Sequence, residues 1–183
     1  MGRMSHAQAP QSFGRVDDDG TVYVRTSDGE RSVGQVPDST SEEALEFFVR
    51  RYRALETEVS LLESRVSSGT ASPEEARSAA SKLVTSIREA NAVGDLESLA
   101  ARVEALTPTI DAKAETRREE RAEAKARAKQ AKEEMVAQAE AIAAGSDWRG
   151  GIGKFRDLLD QWRLLPRIDK TTDDELWHRF SGA

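Results

Sequence analysis

The chain has 183 residues, 33% of them charged and 38% hydrophobic, with a formal net charge of -6 and a pI of about 5.2. That balance favours extended helical structure over one large core, and the acidic total excludes binding nucleic acid by bulk charge while leaving local basic faces open. There is no cysteine, which excludes disulfides and thiolate metal sites and fits a reducing cytoplasm.

No stretch of the N-terminal MGRMSHAQAPQSFG is apolar enough for a signal peptide, and His6 breaks the Gly2 myristoylation pattern. No segment approaches the roughly 20 apolar residues a membrane span needs. The expectation is a soluble cytoplasmic protein without membrane contact, whose residues 1–12 form a polar, disordered tail. From Phe13 to about residue 36, short β-prone runs alternate with Asp-Gly and Gly turns (FGRV, DDDG, TVYVRT, SDGE, RSVGQV). This predicts a two- or three-stranded β-meander with Val22 and Val24 on one face and Thr21, Tyr23 and Arg25 on the other. Such a meander is marginal by itself, so it must dock on the rest of the chain or face a partner.

Residues 40–106 read as a helical coiled-coil hairpin followed by a third helix. Thr40 and Glu43 form a capping-box signal. Leu45, Phe48, Tyr52, Leu55, Val59, Leu62 and Val66 then follow at alternating spacings of three and four, an a/d heptad seam. A second helix opens at Ser72-Pro73-Glu74-Glu75, with a thin face of Ala76, Ala79, Ala80, Leu83, Ile87 and Ala90 suited to packing closely against the first. Asp95 caps a third helix bearing Leu96, Leu99, Val103, Leu106 and Ile110. Pro108 either kinks one long helix or, with Thr107 as cap, starts a new one.

Residues 107–144 predict a long charged helix with few apolar residues and therefore much exposed surface. Lys113, Arg117, Arg121, Lys125 and Lys129 recur every four residues, and Glu115, Glu119 and Glu123 make a second row offset by two. Two positions correspond to about 200° of rotation, so the rows lie on nearly opposite sides. Charged helices are commonly just solvated; the functional alternative is a basic edge that meets phosphates or an acidic protein surface.

Residues 146–183 hold all three tryptophans. Trp148, Phe155 and Trp162 recur every seven residues, with Ile152, Leu158, Leu159 and Leu165 on the same face and Arg149, Arg156 and Arg163 one position on. Pro166 stops that helix, and Thr172 with Glu175 predicts a capping box for a short helix carrying Leu176, Trp177 and Phe180. A period-seven apolar stripe normally faces a core, so the rings read as an aromatic helical hairpin with arginine stems along its rim. Exposed rings beside arginines would instead stack on bases.

This last stretch, with Trp148, Leu158, Trp162 followed by Arg163, then Asp169, Asp173, Asp174, Leu176, Trp177, Arg179 and Phe180, resembles the helical repeat of the bacterial domain-of-unknown-function family 349 (DUF349). The upstream GRVDDDGTVYVRTSDGER and the helical arm are similar to the N-terminal half of its actinobacterial members. The resemblance implies a helical fold and supplies no activity. Because members continue with further repeats, it also implies that a chain stopping at Ser181-Gly182-Ala183 is a fragment or a shortened member.

Catalytic patterns fail on inspection. Gly150-Gly151-Ile152-Gly153-Lys154 lacks the first glycine and the Ser/Thr of a phosphate loop. His6 and His178 are too isolated for a metal site or a triad. Asp17-Asp18-Asp19-Gly20 lacks the later ligands of a calcium loop, and Asp173, Asp174 and Glu175 suit a helix start better than acid-base chemistry.

The sequence therefore predicts a mainly α protein: an elongated helical, coiled-coil arm with a small N-terminal β-meander and a C-terminal aromatic helical hairpin. No enzyme activity, metal or cofactor is expected. The expected function is a helical adaptor or scaffold that binds a protein partner, or self-associates through its coiled coil, using the seam and the aromatic surfaces. The alternative is a factor that binds nucleic acid or a ribonucleoprotein-type complex such as RNA polymerase or the ribosome through the basic stripes.

Overall fold

The computed structural model describes residues 8–146 and 148–183, and of Trp148 only the backbone. His6 and the first seven residues of the expected tail lie outside the described residues. The chain is mainly helical with a small antiparallel sheet and divides into two compact units, Met1–Ala114 and Glu115–Ala183.

In the first unit a 3-10 turn, Pro10–Phe13, leads into β1 (Gly14–Val16), β2 (Thr21–Thr26) and β3 (Gly29–Gln35), an antiparallel meander in the order β1-β2-β3. The alternation expected in β2 is present: Val22 and Val24 are fully buried, while Thr21 and Tyr23 are half-buried and Arg25 is exposed. Gly20 turns β1 into β2 with φ 81°, where a Cβ would meet the Val36 carbonyl. The sheet does not stand alone. Val22, Val24 and Val33 join one core with the helices, the Ser27 amide donates to Glu97 at 2.7 Å, and Arg31 donates to the Ala90 carbonyl at 2.9 Å.

That core is built on α1 (Ser41–Ser68), α2 (Pro73–Glu89) and α3 (Leu96–Glu104). Two of the three predicted capping boxes form here, Thr40 with Glu43 and Ser72 with Glu75, and Asp95 accepts from the Ser98 amide. Gly69, at φ 72°, ends α1 in the left-handed conformation. Five of the seven seam residues, Phe48, Tyr52, Val59, Leu62 and Val66, are buried, and Leu45 and Leu55 pack against the same cluster. Opposite them lie Ala76, Ala80, Leu83 and Ile87 of α2 and Leu96, Leu99 and Val103 of α3. Arg102 of α3 reaches Glu63 of α1 at 2.7 Å.

One contact in this core tolerates no extra atom. Gly94 is buried in the turn before α3, and a Cβ there would stand 2.3 Å from Cγ and Cδ2 of the Tyr52 ring. Tyr52 is 8% exposed and cannot swing clear. Gly94→Ala is therefore expected to cost about 1–3 kcal/mol by overpacking, read as a lower urea midpoint; an unchanged midpoint would mean that α1 and the turn separate easily.

Helix α4 runs Thr107–Ala144, α5 Trp148–Leu164 and α6 Lys170–Gly182. Pro108 lies in the first turn of α4, so it starts a new helix rather than kinking a continuing one, with Thr107 as its first residue and not its cap. The boundary between the two units falls inside α4. In the second unit the core consists of Met135, Val136 and Ala139 of α4, Leu158 and Trp162 of α5, and Leu176 and Phe180 of α6. The aromatic module is thus closed by the last turns of α4 as well as by the expected pair of helices.

Candidate macromolecular interface

The charged helix supplies the surface. Every residue from Glu115 to Arg127 is exposed, whereas Ala128, Lys132, Met135, Val136 and Ala139 further along α4 are buried. At 100° per residue, with Lys113 set to zero, Arg117, Arg121, Lys125, Arg118 and Lys129 lie at about 40°, 80°, 120°, 140° and 160°. Glu115, Glu119, Glu123 and Glu120 lie at about 200°, 240°, 280° and 340°. One side of the exposed segment therefore carries no acid, and of its bases only Arg127, at about 320°, falls among the glutamates.

The five members of the predicted basic row do not behave alike. Lys113 belongs to the first unit, where its ammonium donates to the Val66 carbonyl and, at 3.2 Å, to that of Ser67. It satisfies the open carbonyls at the end of α1, where the helix dipole favours a cation. Arg117, Arg121 and Lys125 are exposed and make no side-chain hydrogen bond or ion pair to a described residue. Lys129 lies 3.8 Å from Glu133. On the other side Glu115 pairs with Arg118 at 3.0 Å and Glu123 with Arg127 at 3.8 Å; such exposed pairs contribute little.

In the aromatic module Trp162 is 8% and Phe180 1% exposed. Phe180 stacks on Trp162 with centroids 4.9 Å apart, and Phe155 is 5.0 Å away. Trp177 packs 5.9 Å from Phe180 and keeps 41% of its surface open. Leu158 is buried, and Leu159 and Leu165 are partly so, as expected. Ile152 departs from the expectation: it is 60% exposed, because Gly151 takes the contact with α4 and a Cβ there would sit 3.1 Å from Ile142. The place of the Trp148 side chain in this face lies outside the described residues.

Arg149, Arg156 and Arg163 are exposed, and Arg163 lies 3.4 Å from Asp160. Helix α6 starts two residues before Thr172: Asp169 is the N-cap, accepting from the Thr172 amide at 2.9 Å. A carboxylate caps more strongly than a threonine hydroxyl, and those hydrogen bonds from Thr172 hold Asp169 below the usual carboxylate range, with Lys129 adding to the effect.

Sequence reasoning missed Lys132. It is 2% exposed, its ammonium donates to Asp173 of α6, and it stands 5.0 Å over the Trp162 ring of α5. One buried cation thus touches all three helices of the unit. Nearby, Arg179 forks onto Glu140 at 3.0 and 3.1 Å. The flanking Ala128, Met135, Val136 and Ala139, at -4, +3, +4 and +7 from Lys132, were the available signal.

Among the described residues no group of three or more acidic or histidine side chains is arranged to hold a metal ion, and no helix is long and apolar enough to cross a membrane. Searches of curated proteins and of solved structures find no match. Residues 98–171, which carry most of α3, all of α4 and α5 and the linker into α6, match the family described as Domain of Unknown Function (DUF349), and it is this helical segment that is similar to that family.

Proposed function

We propose that the protein is a non-enzymatic helical adaptor that docks on a macromolecular partner through the exposed middle of α4. The observation that carries this reading is the contrast along the chain between spent and open surfaces. Most of the heptad seam packs into the core of the first unit, and Trp162 and Phe180 pack into the core of the second, with Trp177 left 41% exposed. Glu115 to Arg127 has no core to serve, yet its charges are sorted by sign. A helix that only needed solubility would gain by mixing them, because like charges four residues apart cost roughly 0.2–0.5 kcal/mol each.

The test uses the full chain as bait in bacterial lysate, beside an Arg117→Glu/Arg121→Glu/Lys125→Glu variant, each with and without nuclease. The expected result is a partner retained by the parent chain and lost by the variant. Equal recovery by both would sink the reading, as would a defined turnover abolished by a single substitution.

A further inference from the structure

We propose that the side of α4 that carries no acid between Glu115 and Lys129, formed by Arg117, Arg118, Arg121, Lys125 and Lys129, is a track for the phosphate backbone of duplex nucleic acid. This rests on α4 being the partner-facing surface and commits that surface to one class of partner.

The first support is where the charge resides. The second unit holds 14 Lys and Arg against 14 Asp and Glu, so the -6 of the whole chain lies entirely in residues 1–114. An anionic polymer meeting α4 therefore meets a neutral unit, five of whose 14 cations are gathered on one side of that helix. Successive members of the Arg117, Arg121, Lys125 row are about 6 Å apart along the helix axis, and these three have no acid to leave before binding. The acids across the helix are partly neutralised by Arg118 and Arg127. At the far end, Lys129 is shared with Glu133 and faces Asp169, which makes it the limit of the track.

The second support is what the track lacks. Between Arg117 and Lys129 the uncharged residues are Ala122, Ala124, Ala126 and Ala128. A protein interface core draws on aromatic and large apolar anchors, a membrane-surface helix needs an apolar face, and single-strand binding uses rings on which bases stack. None of these is on the track. Binding through counterion release from a duplex needs only ordered cations.

The test is fluorescence anisotropy of the full chain with a labelled mixed-sequence DNA duplex of about 20 base pairs, titrated across roughly 50 to 200 mM salt. The expected dissociation constant near physiological salt is about 10⁻⁴ to 10⁻⁶ M, with a log-log salt slope of about -3 to -4.5 for three to five phosphate contacts. Arg117→Gln/Arg121→Gln/Lys125→Gln should weaken binding about tenfold or more at the low-salt end and make the slope shallower by about 3, and Arg121→Gln alone by about 1. All three side chains are exposed, so the helical circular dichroism should not change.

Absence of binding at the low-salt end overturns the proposal. So does a slope unaffected by the triple variant, tighter binding of a single strand of the same length, or binding to anionic vesicles alone. If the triple variant loses a nuclease-resistant partner in lysate while the parent chain ignores the duplex, the adaptor reading stands and the nucleic-acid assignment fails.

Discussion

Phe180→Ala is expected to remove about 3–5 kcal/mol from the second unit. Phe180 is 1% exposed and sits in the last turns of α6 with Phe155, Trp162 and Trp177 all within 5.9 Å of its ring centre. Truncation removes the transfer energy of a large ring and leaves a cavity that three neighbouring rings cannot fill without leaving their own contacts. The loss is comparable to the whole stability of a small domain, so this unit should be largely unfolded in the variant. All three tryptophans lie between Glu115 and Ala183, which makes intrinsic fluorescence in a urea titration a selective reporter. A midpoint shift equivalent to less than about 1 kcal/mol, well under the range for such truncations, would show that α6 contributes little to holding the unit together.

Lys132→Ala comes next, at about 3 kcal/mol. Removing one partner of a buried pair commonly costs about 3–5 kcal/mol, and the lower end applies because the Asp173 side chain keeps 22% of its surface in water. The aliphatic stem lost from beside Trp162 adds a packing term. The informative companion is Lys132→Met/Asp173→Asn, which keeps the stem volume and removes both charges. It should recover most of the stability, since replacing both members of a buried pair is often near neutral. If the double variant is as unstable as the single one, the ion pair is not what the single substitution breaks, and shape at Lys132 carries the effect.

The two variants together show why the second unit was only half legible in the sequence. Trp162, Leu158 and Phe180 follow from period-seven spacing and ring size. Lys132 does not, because it sits in a run of charges, and what buries it is an Asp and a Trp 30 and more positions away. Ile152 was misplaced because it was assigned to the face of Trp148 and Phe155 by its spacing alone, whereas the small Gly151 beside it brings α5 close to Ile142. The family match ends at residue 171, so of the stretch that first carried the resemblance it takes in Trp148, Leu158, Trp162, Arg163 and Asp169 but not Leu176, Trp177 and Phe180.

The first unit was more readable, because its signals are local. Thr40 with Glu43, Ser72 with Glu75, and Asp95 each act within one turn, and the seam from Leu45 to Val66 recurs often enough to fix a face. The partner of that face was legible in part. The small-residue face of the second helix suited it, the heptads also suited a second chain, and α2 packs there together with α3 and the meander. At α6 the local rule misled, since Thr172-Glu175 fits the capping pattern while the carboxylate three residues earlier takes the role.

Helix α4 is continuous in its backbone hydrogen bonds but not in what protects them. Its ends are held by Ile110 in one core and by Met135, Val136 and Ala139 in the other, while Glu115 to Arg127 has only intrinsic helix propensity and the exposed pairs Glu115–Arg118 and Glu123–Arg127 behind it. A segment of that length is marginal alone in water, so it opens and recloses locally at far lower free energy than either flank. Amide hydrogens there exchange early, and a protease cleaving after basic residues finds Arg117, Arg118, Arg121, Lys125 and Arg127 in its most accessible stretch. A ligand that neutralised the row would remove the like-charge repulsion and slow both events, so occupancy of this surface would be written into the lifetime of the helix itself.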